Sequence, residues 1–272
     1  MLEQKWLTSA DTETMLECLA YHLAGRTPGW FDKFLPWRTP RLDWSNNRKL
    51  RLWACACCRR IWNLLPSDSS KRAVEATESF SDGAITQARF EEAIAEAQAI
   101  AESRTDEEWL PVLQLQFRVD NEAISLFFDS CMEERDFATI AAWGAAWTGS
   151  WGRFAGRACL SAAAAVGKDQ KAQQALVDQE SLHQQALLRD LFGNPFRPAS
   201  FPREILTWRD GVIPKLARSI YEERGWEHLP ILGDALEDAG CSDEEILSHC
   251  RNSTPHARGC YVLDSLLCND QT

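Results

Sequence analysis

Apolar positions along this chain recur at the spacing of helices, not of strands. Between Asn47 and Leu65, the residues Leu50, Trp53, Ala54, Cys57, Cys58, Ile61 and Leu65 fall three or four apart, which puts them on one helical face to be buried. Pro66 ends the run, having no N–H to donate and a ring that clashes with the preceding turn. Residues 69–80 form a short helix with Ala73, Val74 and Phe80 that stops before Gly83. Thr86 then caps an acidic helix that turns Phe90, Ala93, Ala97 and Ile100 inward. Asp106 caps a longer segment, and residues 106–167 hold two or three helices, one of them crowded with Ala138, Ala141, Ala142, Ala145 and Ala146. A further helix runs from Lys168 to Phe192, with Gly193 just past its end and Asn194-Pro195 forbidding continuation. Helices near 211–224, 229–239, 243–251 and 255–267 complete the pattern. Alternating runs of β-branched residues bounded by turns are absent, so the expected fold class is all-α.

The clearest break is Asn194–Pro202 (NPFRPASFP), whose three prolines in nine residues require extended backbone. It is expected to join two packed helical lobes, 1–193 and 194–272, the first carrying a basic, aromatic insertion at 25–46. Four blocks carry a family resemblance: RKLRLWACACCRRIWNLL from Arg48, QALLRDLFGNPFRP from Gln185, LPILGDALEDAGCSDEEILSHCR from Leu229 and PHARGCYVLDSLL from Pro255. In this order they resemble a paralogue-rich bacterial family of uncharacterised helical proteins. That resemblance implies an all-helical fold and no particular activity.

Composition narrows the picture only when it is read by position. The chain has 272 residues, 45% of them hydrophobic, enough for a substantial core. Its start lacks a secretory signal, and its longest uncharged stretch in the Ala-rich centre, Phe137–Gly152, is 16 residues, short of the ~20 a membrane helix needs. A cytoplasmic chain without a membrane span is expected. The net charge of −11 disfavours a protein built to coat nucleic acid. From Arg26 to Arg60, however, nine basic residues meet two acidic ones, a local +7 that leaves −18 for the remainder.

In that segment Arg26, Trp30, Lys33, Trp37, Arg38, Arg41, Trp44 and Arg48 interleave cations with aromatic rings. Such a surface can bind a protein partner, or hold phosphates while stacking bases. The alternative is that its charges neutralise the acidic body of the same chain.

Ten cysteines in a reducing compartment read as buried small hydrophobes or metal ligands. Cys57 and Cys58 share the apolar face of their helix, and only Cys55 falls off it. Cys241-x8-Cys250-x5-His256-x3-Cys260 has the intervals of a three-Cys, one-His zinc finger with the last two ligand types exchanged. Ser242 and Glu245 form a capping-box pair between the first two cysteines, and a helix there would hold their sulfurs about 13 Å apart. A reduced zinc site from Cys250, His256 and Cys260, completed by His249 or another cysteine, survives this argument. The Trp143, Trp147, Trp151 stripe reads as core, and Glu180-x-x-His183 as a solvated helix face.

No phosphate-binding loop, dinucleotide fingerprint, nucleophile elbow or HExxH motif is present. The leading expectation is therefore a non-enzymatic helical interaction or regulatory module that binds a protein. A nucleic-acid-binding protein with a zinc-supported C-terminal lobe comes second. Third is an enzyme centred on His249, Cys250, His256, Arg258 and Cys260.

Overall fold

The computed structural model describes residues 2–29, 40, 42, 47–64, 68–103 and 170–267. Trp30, Lys33, Trp37, Arg38, Arg41 and Trp44, the helices expected in 106–167 and the Trp143–Trp151 stripe lie outside the described residues. So do Cys131, Cys159 and Cys268. Within the described residues the regular structure is entirely helical: α1 (Leu2–Thr8), α2 (Thr12–Leu23), α3 (Arg48–Arg60), α4 (Asp68–Ser81), α5 (Gln87–Ser103), α6 (Gln170–Phe192), α7 (Arg203–Glu223), α8 (Leu229–Asp238), α9 (Glu244–Arg251) and α10 (Tyr261–Leu267), with short 3-10 turns at Trp62–Leu64 and Trp226–His228. None of these helices is long and apolar enough to cross a membrane.

The chain divides into two compact units, residues 1–42 with 182–272, and residues 43–181. This differs from the division expected at Asn194, and the physical reason lies in the N-terminal segment. The Trp6 indole N–H donates to the carbonyl of Gly193 at 3.0 Å, Gln185 donates to the carbonyl of Ala10, Arg189 to that of Ser9, and Asn194 to Glu3 Oε1. The end of α6 and the Pro-rich segment after it are thereby bound to α1 and the α1–α2 turn. NPFRPASFP is thus a connection inside one unit, from α6 to α7, and its first turn is closed by Asn194 Oδ1 accepting from the Phe196 N–H.

In the unit formed by residues 43–181, α4 packs against both α3 and α5. Asn47 caps α3 by accepting from the Leu50 N–H. The helix is buried well beyond one stripe: Leu50, Leu52, Trp53, Ala54, Cys55, Ala56, Cys57 and Cys58 are all inside. Cys55, expected off the apolar face, is fully buried as well, its sulfur 3.8 Å from the carbonyl of Val74. The helix ends at Arg60 instead of Leu65, passing into the 3-10 turn.

Three of the five basic residues of α3 are paired with this unit's own acids. Arg48 is buried and paired with Asp82 at 2.7 Å, Arg59 makes a two-pronged contact with Glu78 and stacks over Trp62, and Arg60 meets Glu180 at 2.8 Å. Arg48 is therefore not available to a partner, and with Arg59 and Arg60 it neutralises acids of its own chain. Glu180, expected on a solvated face, is buried beneath Arg60.

In the other unit, Ile213, Ala217, Ile220, Leu229, Leu232, Leu236, Ile246, Val262 and Leu263 form the core shared by α7 to α10. Helix α7 is broken at Trp208–Gly211, so the helix expected from 211 is its second half. Asp243, one residue after the expected Ser242, caps α9 by accepting from the Glu245 and Ile246 N–H groups. Helix α10 starts at Tyr261 and not at Pro255, because residues 252–260 form a loop.

Candidate metal centre

Asp190 lies on the last turn of α6, between Leu188 and Leu191, and only 1% of it is exposed. A carboxylate in such a place must be paired or hydrogen-bonded. It is met from three directions. His256 Nδ1 lies 2.7 Å from Oδ1, His249 Nε2 lies 3.2 Å from the same oxygen, and the Ala257 N–H donates to Oδ2 at 2.9 Å. Burial by itself would raise the carboxyl group's pKa, but the two histidine contacts outweigh it and hold Asp190 below the usual carboxylate value.

The fourth member is Cys260, at the position just before α10. Its carbonyl accepts from the Asp264 N–H, while its sulfur sits 3.3 Å from His249 Nε2. Burial and the Asp190 charge push its thiol pKa well up, against the N–H groups of Val262 and Leu263, which pull it down. One ligand atom from each of Asp190, His249, His256 and Cys260 can be chosen so that all four lie within 4.8 Å of one another. Two donors bound at about 2.0–2.3 Å with a tetrahedral angle between them stand roughly 3.3–3.8 Å apart. The His249–Cys260 contact of 3.3 Å is at that spacing and the His249–Asp190 contact of 3.2 Å just under it, while the 2.7 Å His256–Asp190 contact is a hydrogen bond that must lengthen for both of its atoms to bind one ion. The buried Asp/His/His/Cys group can hold a metal ion.

Local sequence explains each placement. Asp243 starts α9 with a firm cap, which fixes His249 in the last turn, while Pro255 disfavours helix at the residue before it and so separates His256 from α9. The His249 ring packs against those of His256 and Tyr261, at centroid distances of 5.0 and 4.6 Å.

Three of the four ligands expected from sequence are thus brought together, and Cys250 is not among them. It is fully buried, a Cβ placed on Gly233 would lie 3.0 Å from its own Cβ, and burial raises its thiol pKa to about 12. Cys241 is also in the α7–α10 core. Asp190 was not expected. Its signal was a lone acid among Leu187, Leu188 and Leu191, within the LLRDLFGNPFRP block. Arg258 places its guanidinium 5.2 Å from the centre of the Tyr221 ring, a packing role.

A thiol beside an imidazole also invites a nucleophile-and-base reading. Here the sulfur and the Asp190 carboxylate approach the same nitrogen, His249 Nε2. An acid that orients a catalytic base engages the other ring nitrogen. The arrangement converges on a point instead of relaying a proton, and a thiol with a raised pKa is a poor nucleophile. Of the residues expected to bind a partner, Arg26 is exposed just after α2 and Arg48 is enclosed.

Comparison of the chain with protein-family models, with curated proteins and with solved structures finds no match.

Proposed function

We propose that the chain is a non-enzymatic helical interaction module in which residues 182–272 are clamped by one zinc ion held by Asp190, His249, His256 and Cys260. The observation that carries this reading is the convergence of four different donor side chains, from α6, α9, the 252–260 loop and the start of α10, within 4.8 Å of one another. A thiolate and two imidazoles suit zinc far better than magnesium or calcium, which take oxygen ligands. Four protein donors, with Asp190 and Cys260 sealed from solvent, correspond to the closed arrangement of structural zinc sites, whereas catalytic sites keep one position for water. Asp190 Oδ2, held by the Ala257 N–H, supplies the outer support that metal ligands usually have.

Metal analysis of protein purified without a histidine tag tests the zinc reading. About one zinc per chain is expected, falling to well below that in Cys260→Ser and His256→Ala. A wild-type chain that holds far less than one equivalent, both as purified and after reconstitution with zinc, would refute it. For partner binding, the segment from Gly25 to Asn46 remains the proposed surface. Its deletion is expected to leave the fold intact and to abolish capture of a protein partner; unchanged pull-downs would remove the segment from consideration. Salt-dependent binding of single-stranded RNA, lost on replacing Arg38 and Arg41, would point to nucleic acid instead.

A further inference from the structure

The surroundings of His249 lead away from the ligands toward the N-terminus through an unbroken line of close contacts. Tyr261, buried at the start of α10, lays its ring against the His249 imidazole at 4.6 Å, with 60° between the planes. The same ring leaves no room for a side chain at Gly193. A Cβ there would stand 2.8 Å from both Cγ and Cδ2 of Tyr261 and 3.1 Å from Cδ1. These atoms are the stem and near edge of a rigid ring, so the clash could be relieved only by moving the ring or the backbone. Gly193 also has φ +55°, in the left-handed region that costs any residue with a Cβ. Its N–H donates to the Arg189 carbonyl at 2.8 Å, which closes α6 directly after the turn that carries Asp190. Its own carbonyl accepts from the indole N–H of Trp6, a fully buried residue of α1 whose ring also meets Phe192 edge-on.

We propose that Gly193 and Tyr261 are positioning residues of the metal centre, and that through them zinc binding is coupled to the seating of Trp6 and hence of α1. The inference rests on the zinc reading given above. Gly193 does two jobs at one position. It ends α6 so that Asp190 is presented at the last turn, and it leaves the gap that Tyr261 occupies in order to hold the His249 ring in place. Binding the ion fixes His249, which fixes Tyr261 against Gly193, and the Gly193 carbonyl then offers Trp6 a firm acceptor. The ion and α1 stabilise the same arrangement, so each should favour the other.

The full-length chain tests this with two measurements. Zinc affinity, measured by competition with a chromophoric chelator, is expected to fall at least tenfold in Gly193→Ala. Tyr261→Phe, which keeps the ring, should stay within twofold of wild type. Stoichiometry at saturating zinc should remain at one. A merely structural role for Gly193 would lower the melting temperature and leave the affinity of the folded chain unchanged, and that result overturns the proposal.

Amide hydrogen exchange of residues 2–8, with and without zinc, supplies the second measurement; its wild-type arm needs no variant, so it decides the coupling even if Gly193→Ala does not fold. Zinc is expected to slow exchange across α1 in the wild type by several fold, and by much less in Trp6→Phe, which lacks the indole donor. Equal exchange of α1 with and without bound zinc would overturn the coupling while leaving the zinc site standing. A wild-type chain that binds no zinc would overturn both.

Discussion

Asp190 brings together the two sides of this centre, the cost of burial and the chemistry that answers it. Its carboxylate is sealed from solvent on the last turn of α6, and two imidazoles and one backbone N–H compensate. Replacing it with Asn keeps the shape but removes the negative charge toward which both histidines are directed. The expected result is loss of the metal and about 2–3 kcal/mol of stability in the metal-free chain, the usual cost of leaving buried polar groups badly paired. Urea denaturation in the presence of a chelator measures that cost, and a loss below about 0.5 kcal/mol would mean that the histidines carry the network without it. A second acid gives a pH test away from the centre. Asp11 caps α2 by accepting from the Thr14 N–H at 2.8 Å, and although burial opposes ionisation, the hydrogen bonds from Thr14 prevail and lower its pKa below the ordinary 3.8. A group whose pKa is depressed on folding contributes stability above its unfolded value and loses it as pH falls through the folded one. Asp11→Ala should therefore cost about 1 kcal/mol at pH 7, and the gap from wild type should close below about pH 4.

At the scale of elements, α3 shows what periodicity reveals and what it conceals. The three-and-four spacing located the helix and its Leu50–Trp53–Cys57 face, because that spacing is a local property of the chain. Burial of Cys55 on another side of the helix depends on α4 lying against it, which no local pattern records. The same holds for charge. Arg48, Arg59 and Arg60 look in sequence like part of a cationic surface, yet their partners Asp82, Glu78 and Glu180 are brought to them only by the packing of this unit. Arg48→Ala should accordingly leave a mostly buried Asp82 without its cation and cost about 3 kcal/mol. A measured loss below 1 kcal/mol would mean that the pair behaves as a surface salt bridge. At the candidate metal centre, His249, His256 and Cys260 were legible because they cluster within one short stretch around a predicted helix. Asp190 was not, since it joins them across 66 residues, between itself and His256. Even the late start of α10 has this origin: the Ala257 N–H is committed to Asp190, and the 252–260 loop stays out of helix to deliver His256.

At the scale of the whole molecule, these long-range contacts place all four members of the candidate metal centre in one unit of the chain. A zinc ion held by these four side chains, as proposed, would close the stretch from Asp190 to Cys260 into a loop, and the unfolded chain offers no such set of donors at fixed distances. Binding would therefore add to the stability of the unit that contains them by RT ln(1 + [L]/Kd), about 2.7 kcal/mol when free zinc is a hundredfold above Kd. Residues 43–181 contribute none of the four ligands, so the same ion should leave the stability of α3 and α4 nearly untouched. Removing zinc with a chelator is expected to lower hydrogen-exchange protection in α9, α10 and the last turns of α6 by one to two orders of magnitude, the amount that follows from a 2.7 kcal/mol change. Protection in α3 and α4 should change by less than a factor of about two. Thermal unfolding followed by calorimetry should then resolve into a zinc-dependent transition and a zinc-independent one, since two units that differ in their linkage to a ligand need not melt together. A single transition that shifts as a whole with zinc, together with an equal loss of protection in α3, would instead mean that the two units unfold as one cooperative body and that the ion stabilises the entire chain.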